Sequence, residues 1–216
     1  MKDMEIELKL RLCDPSLGEK IISDPIIEKI RVGEPFQVNF ETRHYDTRRG
    51  NLMDVGLAYR IRKEGERYIA CVKGGGASFE GLHRRFEYSV PVEGFIPDIN
   101  VFAGTPIFSI LWQVAGEEEL ITLFSMVFTR ISTELHVDGT IMEMSLDRGG
   151  ITAGNKKEEI CELELELKSG DTAHILKLGE ELAEKYPLVA ETRSKFQRGL
   201  ALLGVENKWN EKNCKT

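Results

Sequence analysis

Two short stretches carry charge at a spacing that could do chemistry. They are EIELK, residues 5–9, and ELELELK, residues 162–168. Read as strands, successive side chains point to opposite faces. Glu5, Glu7 and Lys9 then share one face, opposite Ile6 and Leu8. Glu162, Glu164, Glu166 and Lys168 share another, opposite Leu163, Leu165 and Leu167. Same-face neighbours on a strand stand about 7 Å apart, so three carboxylates in a row repel one another. Basic strands lie between these acidic ones: Arg60 and Arg62 in YRIRK, Lys73, Arg85 beside Glu87, and Arg130. Glu143, Ser145 and Asp147 share one more face. Arginine forks grip phosphate oxygens in pairs and lysine adds point charge. The carboxylates would repel the same polyanion unless a divalent cation such as Mg2+ or Mn2+ bridged them to it. The layout therefore describes a metal–polyphosphate site, with solvated polar faces as the alternative reading.

The elements that would position these residues are mostly strands. Residues 1–12, 37–47, 83–92 and 158–170 alternate, and residues 57–76 read as a hairpin around Glu64-Gly65-Glu66. Residues 121–154 read as two or three strands punctuated by Asp138-Gly139 and Gly149-Gly150, and Asp-Gly is a strong hairpin signal. Asp14 or Ser16 caps a short helix that Pro25 breaks or restarts, and residues 95–120 are less regular, with helical pieces. Near the end, Asp171 caps a helix that closes before Pro187, and SKFQRGLALLG reads as a second, ending at Gly204. This order favours a single antiparallel α+β domain. Each strand buries one face, so the charged faces have two destinations. A flat sheet shows them to water, and a closed barrel turns them into a lumen that can hold a ligand.

The 216 residues, 41% hydrophobic and 30% charged, fit a folded protein. A net charge of −7 weighs against a general nucleic-acid binder. Cys13, Cys71, Cys161 and Cys214 are too widely spaced for a metal motif and read as thiols in a reducing compartment. The start lacks an apolar signal core, and no apolar run approaches the ~20 residues of a membrane span, so the expected location is the cytoplasm.

Taken in order, these motifs resemble the CYTH superfamily, the triphosphate tunnel metalloenzymes. The resemblance rests on ExExK (Glu5, Glu7, Lys9), HYDT, GLAYRIR, VKGGG, GLHRRFEYSV, Arg130, SLDRG, CELELELKSGD and SKFQRG, across residues 4–203. GLHRRFEY and ICELELELKSGDT are most similar to the bacterial inorganic triphosphatase branch. That branch often carries a helical CHAD domain, which this chain is expected to lack. The resemblance implies an α+β fold: a closed eight-stranded antiparallel barrel with helices packed outside. The tunnel domain is expected over residues 1–204, followed by a polar tail over 205–216. It implies cleavage of tripolyphosphate to pyrophosphate and phosphate, with two Mg2+ or Mn2+ ions per site. Metal ligands would be Glu5, Glu7, Glu162, Glu164 and Glu166. Phosphate ligands would be Lys9, Arg60, Arg62, Lys73, Arg85, Arg130 and Lys195. Glu5, Glu7, Lys9 and Asp147 would act in catalysis, Asp147 by binding metal, ordering water or orienting an arginine. Glu87 is read as orienting a base, Lys195 as either a phosphate ligand or a helix-surface residue, and Tyr45 and the four histidines as structural. The tunnel residues do not separate this function from a class IV adenylate cyclase or a thiamine or nucleoside triphosphatase of the same fold, nor from a non-catalytic polyphosphate-binding module. The expected partner is a small triphosphate, with no nucleic acid and no membrane, for a monomer or homodimer.

Overall fold

The computed structural model describes residues 3–205. The expected tail, apart from Val205, lies outside the described residues, as does Cys214; Cys13, Cys71 and Cys161 are free thiols. Nine strands form, all paired antiparallel: β1 (Asp3–Leu12), β2 (Arg31–Thr47), β3 (Leu57–Glu64), β4 (Arg67–Phe79), β5 (Leu82–Val92), β6 (Leu120–Val137), β7 (Thr140–Ala153), β8 (Lys156–Ser169) and β9 (Leu188–Ala190). Eight of them close on themselves in the order β1-β5-β4-β3-β2-β6-β7-β8 and back to β1. Of the two destinations for the charged faces, the chain uses the barrel.

The closure at β1 is shared. Residues 3–8 pair with β5, and residues 10–12 pair with the short β9 on the same edge. Lys9 sits at the changeover. Its N–H donates to the Gly81 carbonyl (2.8 Å) and its carbonyl accepts from the Glu191 N–H (2.9 Å). Gly81 (φ +83°) must be glycine, because a Cβ there would lie 2.7 Å from the Lys9 carbonyl oxygen.

The Asp138-Gly139 turn forms as expected, with both residues at positive φ, the backbone a two-residue hairpin of this hand requires. Gly149-Gly150 does not punctuate the chain. Both lie inside β7, and the turn falls at Gly154-Asn155. A Cβ at Gly149 would meet the Val127 carbonyl oxygen at 2.2 Å, so this glycine lets β6 and β7 approach. β2 starts earlier than its alternation predicts. Pro35 lies where the pairing to β6 shifts between Val32 and Phe36, an irregularity that accommodates a residue with no N–H to donate.

Among the described residues six α-helices accompany the barrel: α1 (Gly18–Ile22), α2 (Pro25–Ile30), α3 (Asn51–Asp54), α4 (Phe108–Val114), α5 (Thr172–Lys185) and α6 (Lys195–Leu203). The apolar faces of the two acidic strands point out of the barrel. Leu8, Leu10, Leu163 and Leu165 pack there with Met142 and Met144 under Ile175, Leu178 and Leu182 of α5 and Ile21 and Ile27 of α1 and α2. Asp171 caps α5 through the Ala173 N–H (2.9 Å), as the sequence predicts. A second apolar cluster joins Tyr45, Tyr59 and Ile61 to Phe102 and Leu111 of the α4 region, so Tyr45 is a core residue. In the third, Phe196 and Leu200 of α6 meet Phe124, Met126, Phe128, Ile151 and Ile160. By strand alternation these share the faces that carry Arg130, Asp147 and Glu162, so α6 packs against the charged face of the wall.

Candidate functional site

The charged faces surround a cavity of about 1120 Å³. Ten basic and seven acidic side chains line it, so the wall carries a positive surplus inside a chain of net charge −7. Such a concave, low-dielectric surface concentrates anions whatever the overall charge.

The acidic wall comes from β1, β8 and β7. Register places Glu7 opposite Glu166, Lys9 opposite Glu164, Glu143 opposite Glu166 and Asp147 opposite Glu162. Lys9, 3% exposed, is surrounded by carboxylates: its Nζ pairs with Glu164 and lies 3.4 Å from Glu7 and 3.5 Å from Glu162. Burial opposes its charge, but these three neighbours outweigh burial and raise its pKa above the ordinary lysine value. Burial likewise pushes Glu7 up, and Lys9, Arg85 and Lys73 overcome it, leaving the carboxyl at about 2.

The basic wall comes from β3, β4 and β5. Lys73 Nζ donates to both oxygens of Glu5 (2.6 and 2.8 Å) and pairs with Glu87 (2.8 Å). Arg85 donates to Glu7 (3.1 Å). Arg60 lies 3.6 Å from Glu87, and Arg62 pairs with Glu64 (2.5 Å). Glu87 thus orients two bases, as read from the sequence.

A third group sits where β6, β7, β8 and α6 meet. Asp147 accepts from Arg130 through both oxygens (2.6 and 2.7 Å) and pairs with Lys195 (2.6 Å). Lys195 also bonds Glu164 (2.8 Å) and Glu162. It is the first residue of α6, fixed by a reciprocal cap in which Ser194 and Gln197 bond each other's backbone. Lys195 is therefore part of the charged wall and not a helix-surface lysine. Asp147 and Glu162 are both 0% exposed and are not among the residues lining the cavity. They stand behind Lys195 and Arg130.

Glu5, Glu7, Lys9, Arg60, Arg62, Lys73, Arg85, Arg130, Glu164, Glu166 and Lys195 all line the one cavity. Sequence reasoning missed Arg198. It is 2% exposed and donates to Glu162 (2.7 Å), Glu158 (2.7 Å) and the Glu159 carbonyl. Its only sequence signal was a charge among the apolar positions of α6.

The carboxylates fit a hard divalent cation in two places. Oxygens of Asp147, Glu162 and Glu164 lie within 4.8 Å of one another, but each of these residues is already held by a lysine or arginine. Glu5, Glu7 and Glu166 face the cavity itself. Burial raises the Glu166 pKa, and Glu5 and Glu143 add like charge against Lys168. The three cavity-facing carboxylates are paired too, Glu5 with Lys73, Glu7 with Arg85 and Lys9, and Glu166 with Lys168, but their oxygens face the lumen, where a divalent cation such as Mg2+ or Mn2+ could replace those partners.

A closed antiparallel barrel with opposed acidic and basic lumen walls is the tunnel architecture that the sequence resemblance implies. The CYTH domain family matches residues 3–200, and the chain belongs to that family. It is 29% identical over 215 residues to an inorganic triphosphatase from Haemophilus influenzae, covering 96% of this chain and 59% of that protein. The chain thus spans about three fifths of that relative's length. Among solved structures it superposes with a TM-score of 0.67 on a protein from Hippeastrum described as a putative adenylyl cyclase with dominant triphosphatase activity (21% identity; 91% and 95% of the two chains covered). A putative adenylate cyclase from Bacillus halodurans gives a TM-score of 0.56 at 16% identity, over 90% and 97%. At these identities the two likenesses concern the fold. No helix among the described residues is long and apolar enough to cross a membrane.

Proposed function

We propose that the protein is a metal-dependent triphosphatase that cleaves tripolyphosphate to pyrophosphate and phosphate inside the barrel. The observation that supports this most is one cavity in which carboxylates (Glu5, Glu7, Glu166) meet a run of cations, Arg85 and Lys73 paired directly to them and Arg60 and Arg62 on β3 across the barrel. Neither wall alone suits a neutral or apolar ligand. The Haemophilus relative's name points the same way.

The ion pairs suggest how the walls are loaded. Lys73 and Arg85 are paired with Glu5 and Glu7. Phosphate oxygens compete for those cations, and each cation they capture releases a carboxylate. The substrate therefore prepares the carboxylates of β1. Lys9 is held by Glu7 and Glu164 at the junction of both walls, where charge builds on the phosphoryl group in transfer. Asp147 fixes the plane of the Arg130 guanidinium through two bonds and so aims it. Glu162 aims Lys195 in the same way. A divalent cation on Glu5, Glu7 and Glu166, with Glu164 beside them, would neutralise the triphosphate and lower the pKa of a water. Catalysis then rests on position and charge.

Phosphate release from tripolyphosphate, ATP and thiamine triphosphate, each with Mg2+, Mn2+ or EDTA, tests this reading. Metal-dependent turnover with tripolyphosphate well ahead supports it. ATP turnover equal or faster assigns the nucleotide branch of the fold. Tight tripolyphosphate binding without hydrolysis leaves a binding module.

A further inference from the structure

Six buried side-chain nitrogen or oxygen atoms among the described residues have no hydrogen-bond partner. Four of them belong to one patch of the cavity wall: Thr42 Oγ1, His44 Nδ1, Arg60 Nε and Arg62 Nε. Thr42 stands directly opposite Arg62, and His44 directly opposite Arg60, across the β2–β3 ladder. Directly paired residues have Cβ atoms about 5 Å apart, so the four form one compact square. Thr42 is 1% exposed and His44 4% exposed. A buried polar atom without a partner costs about 1–3 kcal/mol, and four on one patch call for a ligand.

The patch donates. Arginine Nε–H groups are donors only, a threonine hydroxyl can donate, and the imidazole offers an N–H in one tautomer. The ring of His44 packs in a cluster with Phe124 (centroids 4.8 Å apart) and Phe196 (5.0 Å), which fixes its position beside the cavity. Such a patch fits an anion's oxygens. In the closed order, β2 and β3 lie across the barrel from β1 and β8, the strands of the carboxylate wall.

We infer that Thr42 and His44, with the Nε atoms of Arg60 and Arg62, form a phosphoryl-oxygen subsite that holds the end of a polyphosphate farthest from the carboxylate wall. The inference rests on the triphosphate reading above and deepens it. A ligand that reaches both walls must be a chain of phosphoryl groups, so the subsite selects for chain length.

Calorimetry on EDTA-treated protein with tripolyphosphate, and separately with pyrophosphate, tests it. Thr42→Val and His44→Phe are each expected to weaken tripolyphosphate binding about tenfold, since a hydrogen bond to a charged group contributes about 1.5 kcal/mol or more. Metal-free pyrophosphate, kept off the carboxylates, also rests on the basic wall and is expected to lose affinity in the same variants, while Thr42→Ser, which keeps the hydroxyl, binds like the wild type. A second readout needs no loss of fold. The imidazole 15N resonance of wild-type His44, assigned by its absence in His44→Phe, shifts when tripolyphosphate is added. Wild-type affinity in Thr42→Val with an unmoved His44 resonance overturns the subsite and leaves the triphosphate reading intact. Failure of the wild type to bind tripolyphosphate overturns both.

Discussion

Replacing Arg198 by methionine probes the layer behind the charged wall. The guanidinium is 2% exposed and satisfies two carboxylates and a carbonyl. Its Glu162 partner is 0% exposed, so water cannot take the guanidinium's place. Removing one member of a buried pair costs about 3–5 kcal/mol. Two features favour the lower end. Glu162 keeps Lys195 and, at 3.5 Å, Lys9, while the Glu158 side chain is 28% exposed and can turn to solvent. About 3 kcal/mol in a chain of this size lowers Tm by roughly 6–12 °C. Thermal melts followed by circular dichroism measure it. Adding Glu162→Gln removes the stranded charge, so the double variant should melt at least about 1 kcal/mol above the additive expectation. A drop below 2 °C on a melt precise to a few tenths, or strict additivity in the double variant, refutes the claim that Arg198 neutralises Glu162.

Acid stability should follow His83, whose imidazole is 3% exposed, bonded to the Glu191 carbonyl (3.1 Å), and lowered from 6.5 to about 4 by burial and by Arg85 and Lys9. Because the unfolded chain takes up that proton first, this contribution is complete above pH 6.5 and is lost as pH falls toward 4. It reaches about 3 kcal/mol, and His83→Gln should flatten the melting profile within that window. Glu7 acts lower: its carboxyl is about 2 against an ordinary 4.5, so its contribution holds above 4.5 and fades between 4.5 and 2, which a melt series on Glu7→Gln reads out. Gly149→Ala should destabilise by about 1–3 kcal/mol through contact with the Val127 carbonyl, measured by urea unfolding. Gly150→Ala, whose Cβ would meet Glu158 O at an ordinary 3.5 Å, should cost far less.

Much of the barrel was legible because its two acidic strands alternate without a break, and alternation states which face is apolar. The cap Asp171 marked the start of α5, and SKFQRGLALLG marked α6 with its end at Gly204, from equally local signals. What alternation could not say was whether the polar face met solvent or a lumen. That depends on β1 pairing with both β5 and β8, residues far apart in the chain. The three-residue β9 gave no periodic signal and forms because β1 has a free edge beyond Lys9. Gly149-Gly150 looked like a turn because composition cannot distinguish a glycine that bends the chain from one that lets two strands approach. Asp147, Glu162 and Arg198 were visible as charges, but their depth was not. Thr42 drew no notice and His44 was read as structural, because an ordinary strand carries such residues freely, and only their unpartnered atoms facing Arg60 and Arg62 set them apart.

The most direct measurement of the central claim is a crystal structure with tripolyphosphate and Mn2+, using the Glu7→Gln variant to slow turnover and anomalous scattering to locate the metal. The account predicts a manganese peak on the cavity-facing carboxylates Glu5 and Glu166. It also predicts phosphoryl oxygens on Arg60, Arg62, Lys73 and Arg85, with Lys73 and Arg85 drawn away from β1. Phosphate density outside the barrel, or manganese bound with the lumen ion pairs unchanged, would contradict it.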